Sequence, residues 1–382
     1  MQRKRGVMLK EKLAERKLPD ILSGTDISEW EKRREEIVQI FADEVYGRTP
    51  EFHSEVYAFV EKKEDAVLTG QASKERIRLS FMTPGGMFSF PFILLIPKCG
   101  QPAPAFVQIS FDRNLASAEQ MPQEMLLDEG FAIAILHYSD VTSDNEECDG
   151  LARAYSFSMN SQEGGEEGTN WGKIGMWAFA ASRIMDYLLT RPEIDGTKVA
   201  VSGHSRLGKT ALWAAVQDTR FSMAVSNNSG CTGAAVYRGK VGENIADITS
   251  RFPYWFCKNY QKYSGKDEEI FFDQHMLLAA MAPRTVYVNS ALEDEWADPQ
   301  SEYFGAIAAA EIWEKMGLKG LVSNEELPEE PELNKALPEG NVAYRLRDGI
   351  HFILKLIRRL SCHRMFRLQN LVMQAQRLVT NG

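Results

Sequence analysis

Between Ile27 and Val45 the apolar positions Trp30, Ile37, Ile40, Phe41 and Val45 recur at helical spacing among charged residues, which predicts an amphipathic helix. Strand-like runs follow at 55–60, 76–82 and 88–97, and the Pro-Gly-Gly at 84–86 marks a hairpin turn between the last two. This front part therefore reads as antiparallel.

From Pro104 the rhythm changes to alternation. Apolar strands are expected at 104–111 and 131–138, with a helix near 117–129 between them. Residues 139–170 are polar and Gly-rich and read as a long irregular insertion, a feature that in compact domains often carries function. A strong helical pattern covers 171–189, followed by a short buried strand at 198–202, a helix at 211–217 and a strand at 222–227. A further strand is expected at 284–290 and a helix at 302–316. Strands alternating with helices imply an α/β fold with a mostly parallel central sheet, antiparallel strands at its N-terminal side and helices on both faces. The acidic, Pro-rich stretch 324–337 reads as a surface loop.

No repeat or linker interrupts the pattern. The expected division is a lead segment at 1–20, a single domain at 21–352 and a basic tail at 353–382. That tail carries Lys355, Arg358, Arg359, Arg364, Arg367 and Arg377 with no acid, and reads as a solvated or partner-docking helix. The chain as a whole is acidic, at −9 over 382 residues, which argues against binding a phosphate backbone. No apolar run is long enough to cross a bilayer, so no membrane partner is expected. Residues 1–17 are basic and polar without the apolar stretch of a secretory signal. As written the chain belongs in the cytoplasm, or outside it or in the periplasm had a leader been removed. The five cysteines, at 99, 148, 231, 257 and 362, form no metal-ligand spacing and read as reduced thiols, with a Cys231–Cys257 disulfide left open. Neither a metal nor an organic cofactor is implied, and the oligomeric state is not legible.

A strand, a sharp turn and a helix meet at Gly203-His204-Ser205-Arg206-Leu207-Gly208-Lys209-Thr210. These residues satisfy G-x-x-x-x-G-K-[ST], the loop in which backbone amides and a Lys cradle phosphates. Bulky side chains between the glycines, a position beyond the chain's midpoint and the scarcity of a later metal-binding Asp weigh against nucleotide binding. The alternative is the nucleophile elbow of the α/β-hydrolases, usually G-x-S-x-G. Here Leu207 stands at the last glycine position and Gly208 comes one residue late. Chain order supports the elbow, because Ser205, Asp294 after the strand ending at Ser290, and His351 follow the Ser–acid–His sequence of that fold.

The segment 203–209 resembles the signature of glucuronoyl esterases, in which the Ser is followed at once by Arg and four residues later by Lys. The resemblance runs from about Leu18 to His351. It includes Val45-Tyr46-Gly47-Arg48, the stretch 229–235, Gly242-Glu243, the stretch 252–257, Asp273-Gln274-His275 and the stretch 293–299. It points to the bacterial branch of carbohydrate esterase family 15, whose substrates are esters of glucuronic acid, small or within glucuronoxylan. The resemblance implies Ser205 as nucleophile, His351 as base, and the Arg206 backbone and side chain as oxyanion donors. Lys209 and Glu243 would bind sugar hydroxyls, with Trp296 beside the uronate ring.

Two departures stand out. Some members carry the acid as a Glu immediately before the Ser-Gly pair that here is Ser229-Gly230, but this chain has Asn227-Asn228. The acid is therefore assigned to Asp294, with Asp298 as the alternative and Glu293 and Glu295 as turn carboxylates. After His351, Phe352-Ile353-Leu354-Lys355 replaces the polar stretch and Asp-Trp pair of the family. Elsewhere His204, His137 and His275 read as packing or loop-holding residues, and Trp213 and Trp255 as core. Three rival functions remain: an acetyl-xylan-type esterase, a nucleotide-binding protein and a non-catalytic carbohydrate-binding relative.

Overall fold

The computed structural model describes residues 2–51, 54–113, 123–161, 168–323 and 327–351, with no account of the side chains of 2–8 and 157–161. Among them run ten strands: β1 Val56–Val67, β2 Ala72–Thr83, β3 Gly86–Pro97, β4 Ala103–Ser110, β5 Ala132–His137, β6 Ile194–His204, β7 Met223–Asn227, β8 Thr285–Ala291, β9 Ala336–Leu337 and β10 Val342–Arg347. The helices are α1 Gln2–Glu15, α2 Trp30–Phe41, α3 Gln123–Asp128, α4 Gly150–Ser161, α5 Lys173–Leu188, α6 Arg206–Gln217, α7 Ile245–Arg251, α8 Gln274–Ala279 and α9 Pro299–Lys315.

All strands join one sheet in the order β1-β2-β3-β5-β4-β6-β7-β8-β10-β9. The pairs from β1 to β5 are antiparallel, β5-β4-β6-β7-β8-β10 are parallel, and β9 returns antiparallel at the far edge. The central strands are continuous apolar runs because both their faces are covered. Val199 and Val201 of β6, Ala224 of β7 and Val286 and Val288 of β8 enter the larger core. Ala200, Met223, Val225 and Tyr287 enter a smaller core on the other face with Leu126, Leu127 and Phe131. In a parallel sheet so covered, ligands sit beyond the C-terminal ends of the strands. Ser205 follows β6, Asp294 follows β8 and His351 follows β10, so all three lie at that rim.

Several boundaries differ from the sequence reading. The 27–45 helix is a short 3₁₀ turn, α2 and a wide final turn over Ala42–Tyr46. The region 139–170 is not irregular throughout: α4 forms where Leu151, Ala152 and Tyr155 bury one stripe. β10 was not expected, because Arg345 and Arg347 break its apolar run, yet it pairs with β8 over six residues. Within 324–337, β9 adds a two-residue strand to the surface loop. The basic tail at 353–382, Cys362, and the 117–122 part of the expected helix lie outside the described residues.

Candidate active site

Ser205 has φ 57° and ψ −126°, left-handed backbone that a non-glycine residue adopts only where its surroundings hold it. The turn is enforced from both sides. A Cβ on Gly203 would lie 2.0 Å from the Leu207 carbonyl oxygen, and one on Gly208 would lie 3.1–3.3 Å from Ser229 and the Asn227 backbone. The late glycine thus lies where α6 passes close to the end of β7. The Ser205 N–H donates to the Asn227 carbonyl at 2.9 Å, leaving the side chain at the very start of α6. A helix N-terminus there supplies unpaired N–H groups and partial positive charge.

Asp294 is buried and receives three donors: His351 Nδ1 at 2.5 Å and Asn228 Nδ2 at 2.7 Å on Oδ2, and the Ala297 N–H at 3.2 Å on Oδ1. Burial pushes its carboxyl upward, but these donors outweigh it and hold the group below its ordinary value. Backbone bonds tie the two loops together, from Leu292 N to Arg347 O at 2.9 Å and from Glu293 N to Gly349 O at 3.0 Å. The Arg347 guanidinium donates to Asn228 Oδ1 and to the carbonyls of Asp348, Ile350 and His351, gripping the loop that ends in His351. Among the described residues, no hydrogen bond links Ser205 Oγ to His351. Catalytic hydrogen bonds often tighten only when substrate is bound.

His204 lies 4.6 Å from His351, ring centre to ring centre, and its Nδ1 accepts from Asn227 Nδ2 at 2.5 Å. Burial, then the nearby His351 and Arg347, lower its pKa to about 3, so it stays neutral beside His351. Asp298, the alternative acid, does not meet His351. Its carboxylate caps α9 at the Ser301 N–H and hydroxyl and accepts from the Val241 N–H. Glu293 and Glu295 are exposed turn residues.

Lys209 is buried, with Nζ on the Ser229 carbonyl at 2.5 Å and 3.8 Å from Glu243. Burial lowers the Lys209 pKa. Trp296 Nε1 donates to Glu243 Oε1 at 3.2 Å while 46% of the residue remains exposed. The structure thus links Lys209, Glu243 and Trp296 in one row. The phosphate-loop reading is set aside, because Lys209 points to Ser229 and Glu243, and Thr210 donates to the Arg206 carbonyl of its own helix. Arg206 lies over the rings of Phe111, Phe252 and Trp255 and pairs with Asp144, which also accepts from Trp255 Nε1 and the Tyr138 hydroxyl.

His137 bonds the Phe111 carbonyl and the Ser139 hydroxyl, and His275 bonds the Pro19 carbonyl. Trp213 is buried against Tyr46, and Trp255 is buried as well. Cys99, Cys148, Cys231 and Cys257 are free thiols, so the Cys231–Cys257 disulfide does not form. No cluster of His, Cys, Asp and Glu among the described residues has the geometry of a metal site. No helix among them is long and apolar enough to cross a membrane. The sequence reading missed Asp144, Asn228, Glu302 and Arg347. Only Asn228 left a trace there, as an amide standing where some relatives have a Glu.

A family model described as glucuronyl esterase of fungi matches residues 80–317. The carbohydrate esterase MZ0003, from an unknown prokaryotic organism, is 34% identical over 377 residues, covering 87% of this chain and 85% of that protein. The chain belongs to the glucuronoyl esterase family. The glucuronoyl esterase of Solibacter usitatus superposes with a TM-score of 0.78 at 32% identity, covering 92% of this chain and 96% of that one. A promiscuous esterase of carbohydrate esterase family 15, from a marine bacterial metagenome, gives 0.78 at 30% identity and covers 92% and 95%. Among fungal relatives, the 4-O-methyl-glucuronoyl methylesterase of Podospora anserina is 33% identical over 156 residues, 38% of this chain and 32% of that protein. This glucuronoyl esterase family member is thus a carboxylic ester hydrolase of the α/β-hydrolase fold.

Proposed function

We propose that the chain hydrolyses esters of glucuronic acid through an acyl-enzyme on Ser205. His351 takes the Ser205 proton as Oγ attacks the ester carbonyl, and Asp294 fixes the imidazole and balances the imidazolium charge. The Arg206 N–H, at the start of α6, and its guanidinium stabilise the oxyanion. As the tetrahedral intermediate collapses, the bond to the alcohol breaks and His351 returns the proton to the departing oxygen. Water then repeats the sequence on the acyl-enzyme, releasing glucuronate. Lys209 and Glu243 contact sugar hydroxyls, and Trp296 offers a ring face to the uronate.

The observation that carries this reading is the bond from His351 Nδ1 to Asp294 Oδ2, formed at the rim where Ser205 leaves β6. The test compares hydrolysis of methyl glucuronate with release of acetate from acetylated xylan, alongside labelling by a fluorophosphonate probe. The expected results are modification of Ser205, preference for the glucuronate ester, and loss of both in Ser205→Ala. Full activity in Ser205→Ala would overturn the mechanism, and preference for acetyl esters would overturn the substrate class.

A further inference from the structure

Lys209 and Arg206 each sit against a carboxylate, Lys209 near Glu243 and Arg206 on Asp144. The second pair is the more constrained. The Asp144 carboxylate also accepts from Trp255 Nε1 at 2.7 Å and from the Tyr138 hydroxyl at 3.2 Å, while the Tyr254 hydroxyl donates to its backbone carbonyl at 3.1 Å. The loop that presents it is pinned on every side. Buried Lys173 donates from Nζ to the carbonyls of Ser143 and Glu147 at 2.7 and 2.8 Å. Asp149 accepts from the Thr142 hydroxyl and the Ser143 N–H, and Trp177 Nε1 donates to the Thr142 carbonyl. The guanidinium of Arg206 lies 4.9 Å from the centre of the Trp255 ring, so ring and carboxylate together fix its plane.

We infer that Asp144 is a positioning residue for the oxyanion site: it fixes the Arg206 guanidinium and cancels its charge, so that the site favours a neutral ester over the carboxylate product. This rests on the hydrolytic reading above. An arginine beside the scissile carbonyl faces two anions in turn, the transient oxyanion and the stable carboxylate of released glucuronate. A free guanidinium would form a charge-assisted, bidentate pair with that carboxylate and retain it. A guanidinium already paired keeps its directional N–H donors for the transition state while offering the product little net charge.

The test uses the full chain with Asp144→Asn and Asp144→Glu. Turnover of methyl glucuronate and binding of free glucuronate by calorimetry are each measured at low and high salt. Asp144→Asn should lower kcat about tenfold or more with little change in KM, since a displaced oxyanion donor acts on the transition state. It should also bind glucuronate about fivefold to tenfold more tightly at low salt, an advantage that salt removes. Asp144→Glu keeps the charge and moves it, so glucuronate binding should return to the wild-type value while kcat recovers in part. Wild-type glucuronate binding in Asp144→Asn, or a lower Tm and higher KM with kcat intact, would overturn the inference. Should Asp144→Asn fail to fold, Asp144→Glu decides alone: wild-type glucuronate binding with reduced kcat supports the pair, and any other pattern overturns it. A wild-type protein that does not hydrolyse methyl glucuronate would instead sink the functional reading, with the calorimetry still testing the pair.

Discussion

Asn228 and His351 donate to the same oxygen of Asp294, Oδ2, at 2.7 and 2.5 Å. The amide thus steadies the carboxylate proposed as the triad acid, which comes from the loop after β8. Asp294→Asn should lower kcat by about four orders of magnitude, because a neutral amide neither balances the imidazolium nor holds the required tautomer. Asn228→Ala removes only a supporting donor and should cost about tenfold. Adding Asn228→Glu to Asp294→Asn should restore part of the loss, since a longer acid there starts within reach of the same position. Steady-state kinetics on methyl glucuronate check all three. No recovery in the double variant would mean that the geometry admits an acid from one side only.

Arg347 gives a second prediction. Its guanidinium holds four oxygens, three of them carbonyls of the 348–351 segment. Arg347→Met leaves those acceptors without their donor, a loss of about 1–3 kcal/mol at the buried Asn228 amide and less at the loop carbonyls, which water can reach. The expected result is a lower kcat and slower labelling of Ser205 by fluorophosphonate, with KM nearly unchanged. Arg347→Lys should recover little, because one ammonium cannot reproduce the fork. Loss confined to KM would show that the loop serves binding rather than His351.

The candidate residues that the sequence brought forward are those whose proposed chemistry follows chain order. Ser205, Asp294 and His351 each follow a parallel strand, and strand ends are readable from apolar runs. Val199 and Val201 announce β6 because both faces of that strand are covered. β10 was missed because Arg345 and Arg347 interrupt its pattern, although Arg347 proves to be the clasp of the His351 loop. Asp144 had no sequence signal, since nothing in a polar insertion says which carboxylate will meet Arg206 from 62 positions away. Such pairings are set by tertiary geometry alone. Lys209 illustrates the converse: its spacing spelled a phosphate loop, and only the tertiary structure shows its Nζ on the Ser229 carbonyl and beside the Glu243 carboxylate.

The row formed by Lys209, Glu243 and Trp296 should govern binding more than chemistry. Trp296 is half exposed, bonds Glu243 through its indole N–H and lies under the Arg251 guanidinium at 5.6 Å. Trp296→Ala should raise KM for a glucuronate ester about fivefold to tenfold, consistent with about 1 kcal/mol for a lost stacking partner, with kcat and Tm little changed. Glu243→Gln should raise KM as well, and should lower Tm because it leaves the Lys209 ammonium without its carboxylate. A fall in kcat at constant KM in Trp296→Ala would place that ring at the reacting carbonyl instead.

Glu302 supplies a prediction on stability and pH. Its carboxyl is wholly buried behind the site, accepting from the Ser290 hydroxyl at 2.6 Å, the Gly230 N–H at 2.9 Å and the Ser229 hydroxyl at 3.2 Å. Burial is the main cause that raises its pKa from 4.5 to about 7, only partly offset by those donors. Below pH 4.5 the group is protonated in both folded and unfolded chains, so it contributes no pH dependence. Between 4.5 and about 7 the folded chain binds more protons, and stability falls as pH rises; above 7 the loss is complete. A difference of that size is worth on the order of 3 kcal/mol. Glu302→Gln resembles the protonated form and should match the wild type near pH 4.5, then exceed it by a margin that grows up to about pH 7 and is constant above it. Urea denaturation across that range reads the difference directly, and parallel curves for the two proteins would show that Glu302 does not change its protonation on folding.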